Sequence, residues 1–206
     1  QSLFKLSKMK QPDLENFVGI HNRKYCDGGQ CIRLYRTFMK KKDPEAANIV
    51  MGHNEEDLLG LGTIFSLLAY KKLYDGEYHP KQCVILEQEL KIVIELSAAA
   101  PVNVSCGNSD FYLSVNGYEA RMLVHLKEGK LRQYYRNYKD YEFIPGEDTA
   151  MPKSITRYMD KSLKIATTPQ TCYTWFNCDE DFLNNEKKQM QYLTHTLPFF
   201  LDNLNK

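Results

Sequence analysis

The chain has 206 residues, enough for one sizeable core or two small domains, and its pattern favours two. Its 27 basic and 26 acidic side chains leave a net charge of +1, which excludes a global field drawing it onto nucleic acid or an anionic membrane. A hydrophobic fraction of 43% with 14 tyrosines and 10 phenylalanines excludes a disordered chain. No apolar run approaches the roughly 20 residues of a membrane helix, and the opening QSLFKLSKMKQP lacks the apolar centre of a signal peptide. A soluble, cytoplasmic protein with no membrane partner is expected. The six cysteines form no C-x-x-C pair and have no histidine at zinc spacing, so reduced thiols are expected.

Residues 1–75 read as helices. PDLENFVG carries Pro12 and Asp13 in a first turn and stops at Gly19, which accepts the left-handed conformation past a helix end. After the DGG turn, Cys31, Leu34, Tyr35 and Phe38 recur at helical spacing, and the lysines at 40–42 suit the end of the dipole. Asp43 and Pro44 start another helix, which Gly52 is expected to end or kink. From Asn54 a longer helix is predicted to about Leu73, with Leu58, Leu61, Phe65 and Leu68 as a buried stripe. Gly60 and Gly62 inside it suggest a closely packed neighbouring backbone. DGEYHPKQ, 75–82, reads as the boundary.

Beyond it the period changes. CVILEQELKIVIELS is rich in β-branched residues, and Leu90, Ile92, Ile94 and Leu96 fall on one face. Further strands follow, with Asn116-Gly117 predicted as a hairpin turn and Glu128-Gly129 as a second turn. PKSITRYMDKSL predicts a helix with Ile155, Tyr158 and Met159 on one side, and another helix is expected from Asn185 to about Leu204, bent at Pro198. The fold class is therefore α+β: a helical part over 1–75, then over 76–206 an antiparallel sheet with C-terminal helices.

One stretch, MGHNEEDLLGLG at 51–62, combines chemistry with a helix. Asn54 followed by Asp57 has the spacing of a capping box, which is the favoured reading of these residues alone. Yet His53 and Asp57 share a helical face with Leu61, Ile64 and Leu68. A carboxylate aimed at a core needs a hydrogen bond, a cation or a metal to compensate it. Glu55 and Glu56 fall on other faces and read as solvated first-turn acids.

GGQCIRLYRTFMKKKDPEAANIVMGHNEEDLLGLGTIFSLLAY, preceded by FVGIHNRKY, resembles the closing part of the RNase H-like domain in bacterial predicted exonucleases of the YprB type. In the wider superfamily of four-carboxylate exonucleases, the last metal-binding aspartate follows a tyrosine by four residues or a histidine by five. His53 and Asp57 match the tyrosine spacing, with histidine in its place. The resemblance implies a metal-dependent 3′–5′ exonuclease using Mg²⁺ or Mn²⁺ on DNA or RNA, in which Asp57 is a metal ligand. His53 would orient or deprotonate the attacking water, and Asn54 would position the segment. Hard carboxylates suit such ions, and a pair of them can stabilise both oxygens of an in-line phosphodiester displacement. The first two acids of that superfamily come as D-x-E on an apolar strand. The D-x-E here, Asp13 to Glu15, follows KMKQP and reads as helix, so it is taken as incidental. No complete two-metal site is expected within this chain, which alone is expected to be inactive and to be the C-terminal part of a longer protein or a remnant that has lost its sheet.

YRNYKDYEFIPGEDTAMPKSITRYMDKSLKIATTPQTCYTWF resembles a C-terminal extension of the same proteins, with Pro152 where histidine is expected. Tyr134, Tyr135, Tyr138, Tyr141 and Phe143 alternate with Lys130, Arg132, Arg136 and Lys139. Such aromatics could stack on bases while cations meet phosphates, with Arg132, Tyr134, Tyr135 and Arg136 as the contacts. The favoured alternative is a sheet with aromatic pairs inside and solvated bases outside. Glu147, Asp148 and Lys153 read as turn and cap residues, Cys172 as a buried thiol, and His125 and His195 as structural. Against the nuclease stands a second function, a non-catalytic module that binds nucleic acid or a protein.

Overall fold

The computed structural model describes residues 3–21, 23–25 and 27–204. They form two compact units, residues 3–68 and those from 69 onward, so the division falls earlier than the boundary expected at 75/76. The reason is that Ala69, Tyr70 and Leu73 are buried in the second unit, where the Tyr70 hydroxyl donates to the carbonyl of Val102.

The first unit is helical. α1 (Gln11–Phe17) starts with Pro12 in its first turn and the Asp13 carboxylate accepting the Lys10 N–H at 3.1 Å, and Gly19 follows its end at φ +93°. α2 (Gly28–Lys41) is capped by Asp27, which accepts the Gln30 N–H at 3.0 Å, and stops where Lys42 turns left-handed. α3 (Pro44–Ile64) is capped by Asp43, passes through a 3-10 turn at Phe65–Leu67 and hands over to α4 (Leu68–Asp75).

Three expectations are corrected along α3. The helix runs through Gly52 unbroken, because the missing side chain there makes room for the ring of Tyr25, which a Cβ would meet at 2.3 Å. Asn54 therefore lies inside the helix and is exposed, and the Asn54–Asp57 capping box does not form. The stripe of Leu58, Leu61, Phe65 and Leu68 is 71%, 39%, 64% and 54% exposed, so helical spacing defined its face correctly without telling what covers it. Leu58→Lys is accordingly expected to change stability by less than about 0.5 kcal/mol. Leu73→Ala, at a residue 1% exposed, is expected to cost about 2–5 kcal/mol. Thermal melts of the two variants beside the parent protein check this contrast.

The second unit is built on β1 (Tyr78–Leu86), β2 (Glu89–Gly107) and β3 (Phe111–His125), an antiparallel sheet in that order. Leu90, Ile92, Ile94 and Leu96 share its buried face as the alternation predicts, at 0%, 0%, 0% and 4% exposure. Asn116-Gly117 is not a hairpin turn. It lies inside β3 opposite Ala100, where the register slips, so the left-handed Gly117 (φ +55°) serves an irregularity in the ladder. The hairpin turns at Asn108 instead, whose side-chain oxygen accepts the N–H groups of Asp110 and Phe111 at 2.9 and 3.2 Å. Glu128 and Gly129 do form a turn, both left-handed, between bridged Lys127 and Lys130.

β4 (Lys130–Tyr134) pairs with β8 (Tyr173–Asn177), while β5 (Tyr141–Ile144) lies between β6 (Thr149–Pro152) and β7 (Ile165–Ala166). The helix predicted over PKSITRYMDKSL shrinks to one turn, α5 (Lys153–Thr156), and a 3-10 turn at Lys161–Leu163 capped by Asp160. Its polar Thr156 turns inward, fully buried, to donate to Glu142, while Ile155, Tyr158 and Leu163 are exposed. α6 (Glu180–Leu183) and α7 (Glu186–Asp202) close the unit, with Pro198 inside α7. Tyr192, Leu193 and Leu197 of α7 are completely buried, the two leucines each stabilising by roughly 1.5–3 kcal/mol. The fold is α+β, a helical part followed by antiparallel sheets and C-terminal helices.

Candidate functional sites

In the helical unit three elements meet around one guanidinium. Arg23, in the connection after α1, donates from Nε and Nη2 to the two carboxylate oxygens of Glu15 at 2.8 and 2.7 Å. Its Nη1 donates to Asp57 Oδ1 at 2.5 Å. The other Asp57 oxygen lies 3.3 Å from His53 Nε2, one helical turn back on α3. Gln11 Nε2 completes the set, donating to Glu15 and to the backbone carbonyl of Asp57, both at 2.9 Å. The Glu15 side chain is 3% exposed, Arg23 25% and Asp57 34%.

A buried carboxylate is tolerated because a bidentate Arg pair supplies both charge and geometry. Hydrogen bonding by Arg23 holds the Glu15 carboxyl below the usual glutamate range, against the opposing effect of burial. The same bonds raise the Arg23 pKa. Gly60 is part of the fit, since a Cβ there would lie 2.0 Å from Glu15 Oε1. The close neighbour inferred for Gly60 is thus a carboxylate and not a backbone, and Gly62 has no atom within 4 Å of its place for one. Glu56, read as a solvated acid, accepts the backbone N–H groups of Lys24 and Tyr25 at 2.7 and 3.1 Å and so orders the segment that carries Arg23.

The structure brings His53 and Asp57 together and leaves Asn54 exposed, apart from them. It also adds Glu15 and Arg23. Neither stands out in the sequence: Glu15 lies in a D-x-E that follows KMKQP, and Arg23 lies inside FVGIHNRKY. No local signal joins residues so far apart in sequence; the one available hint was a buried-face carboxylate in need of a cation.

These residues do not fit a divalent ion in this arrangement. Arg23 engages both carboxylates, leaving Asp57 Oδ2 beside His53, and no cluster of three or more His, Cys, Asp or Glu among the described residues could hold a metal. His53 Nδ1 is buried and has no hydrogen-bond partner among the described residues.

The aromatic and basic residues of the second unit divide. Tyr134 is 6% exposed, with its ring stacked on Phe199 at 3.7 Å. Tyr135 is half-buried, stacked on Tyr141 at 5.2 Å and bonded through its hydroxyl to Gln133 and Thr174. Arg132 lies over Tyr173 and Trp175, 4.6 Å from each ring centre. Arg136 is exposed but sits over Tyr74 and pairs with Asp202 at 3.6 Å. These are the aromatic pairs of a sheet and its packing helix. Asp148 anchors the same group, accepting from the Tyr173 hydroxyl at 2.6 Å and from Trp175 Nε1 at 3.1 Å. Cys172 is completely buried, and burial pushes its thiol up to about 11.

Residues 3–69, about a third of the chain, match a family model described as RNase H superfamily. The match supports an RNase H-like domain and covers the Glu15, Arg23, His53 and Asp57 cluster. No curated protein and no solved structure matches the chain. No described helix is long and apolar enough to cross a membrane.

Proposed function

We propose that the chain belongs to a nucleic-acid-cleaving protein of the RNase H class, an exonuclease on DNA or RNA in which the helical unit contributes Asp57, His53 and Asn54. The observation that carries this reading is the superfamily match over residues 3–69 together with Asp57 converging on a second acid, Glu15, inside it. His53 Nε2 lies 3.3 Å from Asp57, which orients the ring, and moving a proton to or from water would require the ring to turn, because Nδ1 is buried. Mg²⁺ or Mn²⁺ belongs to the proposal for the complete protein. The cluster described here does not accommodate either ion, and no step is derived through one.

A second reading, a non-catalytic nucleic-acid-binding or interaction module, is favoured by Arg23, because a guanidinium already neutralises both carboxylates. The experiment that separates them is digestion of end-labelled single-stranded DNA and RNA by the full-length gene product with Mg²⁺ or Mn²⁺. The nuclease reading expects digestion from the 3′ end, reduced at least about a hundredfold by Asp57→Asn, or ~2.7 kcal/mol of barrier. Equal activity of the two proteins removes Asp57 from the site, and no digestion by the parent protein favours the binding module.

A further inference from the structure

A cleft of the second unit, about 560 Å³, lies between the 3-10 turn at Tyr138–Asp140, strand β5, and the segment from α5 to β7. Four lysines line it, Lys139, Lys153, Lys161 and Lys164, against one carboxylate, Glu142. That carboxylate is already committed. Lys164, its side chain 12% exposed, pairs with Glu142 at 2.9 Å and donates to the carbonyl of Thr156 at 2.6 Å, while the buried Thr156 hydroxyl donates to Glu142 as well. The Glu142–Lys164 pair forms a neutral floor, and the charges of Lys139, Lys153 and Lys161 stand around it with no ion pair among the described residues.

The walls are fixed. The buried Thr167 hydroxyl bonds to the carbonyls of both Tyr138 and Tyr141, at 2.9 Å for the latter, which ties the Lys139 turn to the end of β7. Asp140 and Asp160, the acids beside two of these lysines in sequence, keep their charge but do not line the cleft: Asp140 accepts from Asn137 at 3.1 Å and Asp160 caps Ser162 at 2.8 Å. The residues that line the cleft carry an excess of three positive charges, offset from outside it by Asp140 and Asp160. That excess concentrates locally the field that the whole molecule lacks. Tyr138 and Tyr141 line the same cleft, with one face of the Tyr141 ring stacked on Tyr135 at 5.2 Å.

We propose that this cleft binds the phosphodiester backbone of single-stranded nucleic acid, with Lys139, Lys153 and Lys161 meeting phosphates and Tyr138 offering a face to a base. Lysines act as point charges on phosphate, and an aromatic beside them distinguishes a nucleotide strand from a simple anion. None of Arg132, Tyr134, Tyr135 and Arg136 lines this cleft. The site needs no cleavage, so its fate is independent of the nuclease reading.

The test is fluorescence anisotropy of the full chain with a labelled single-stranded 12-mer, in EDTA and across a salt series. Binding is expected, and Lys153→Gln/Lys161→Gln should weaken it about tenfold and flatten the log K against log salt slope by about 1.4, two contacts at roughly 0.7 each. Tyr138→Ala should weaken it further, whereas Lys71→Gln/Lys81→Gln, which lies away from the cleft, should leave it unchanged. The proposal is overturned by absence of binding at low salt, by an unchanged Lys153→Gln/Lys161→Gln variant, or by equal loss in the Lys71→Gln/Lys81→Gln control. Competition by polyglutamate as effective as by the unlabelled oligonucleotide would also overturn it, by reducing the cleft to a general polyanion surface.

Discussion

Arg23→Ala is expected to destabilise the helical unit by about 3 kcal/mol at neutral pH, at the low end of what breaking a buried charge pair costs because Arg23 keeps a quarter of its side chain in water. The substitution removes three hydrogen bonds at once and strands the Glu15 carboxylate, which is 3% exposed, against the α3 backbone at Gly60. The loss depends on pH. Because Arg23 lowers the folded pKa of Glu15, the contribution is full above the ordinary glutamate pKa and disappears as pH falls through the lowered folded value. Stability curves of the parent protein and Arg23→Ala should therefore converge on acidification. Glu15→Gln in the Arg23→Ala background should recover part of the loss, since an amide is cheaper to bury than an unpaired charge. Hydrogen exchange at α1 and α3 amides measures the effect in this unit; equal protection in the parent protein and Arg23→Ala would show that the guanidinium holds nothing together.

The second large effect is expected at Gly60. On an exposed helical surface, alanine for glycine stabilises by roughly 1 kcal/mol, and Gly62→Ala, with no atom within 4 Å of its new methyl group, should gain about that much. Gly60→Ala should do the opposite. Its methyl would sit 2.0 Å from Glu15 Oε1 and 2.9 Å from the carboxyl carbon, and the carboxylate cannot swing aside without leaving Arg23. A cost of about 1–3 kcal/mol follows from overpacking. Because it acts through the same contact as Arg23→Ala, the two costs should not add. Thermal melts of Gly60→Ala, Gly62→Ala and Gly60→Ala/Arg23→Ala decide it, and parallel gains at both glycines would contradict the packing described.

The helix starts were legible because caps are local: Asp43 with Pro44 and Gly19 after α1 stand where the sequence places them. The alternation at Leu90, Ile92, Ile94 and Leu96 was equally plain, since one buried face of a sheet writes itself at period two. Partners distant in sequence left no such trace. Gly52 reads as a breaker until Tyr25 is seen against it, and Asn116-Gly117 reads as a hairpin although the same left-handed glycine serves a register slip. The stripe on α3 marked an apolar face, but period alone does not say whether anything covers it. At the candidate site, His53 with Asp57 was visible through helical spacing. Glu15 and Arg23 were not, because the need for a counter-ion could be stated from the sequence while its supplier could not.

Arg23 is the counter-ion of the Glu15 and Asp57 pair, and the helical unit depends on it. A carbon-detected NMR titration of the Glu15 carboxyl, in the parent protein and in Arg23→Gln, tests this role most directly. The Glu15 pKa is expected below the ordinary glutamate range in the parent protein and raised in Arg23→Gln, where only the Gln11 hydrogen bond opposes burial. A Glu15 pKa that is already raised in the parent protein and does not move in Arg23→Gln would contradict that role.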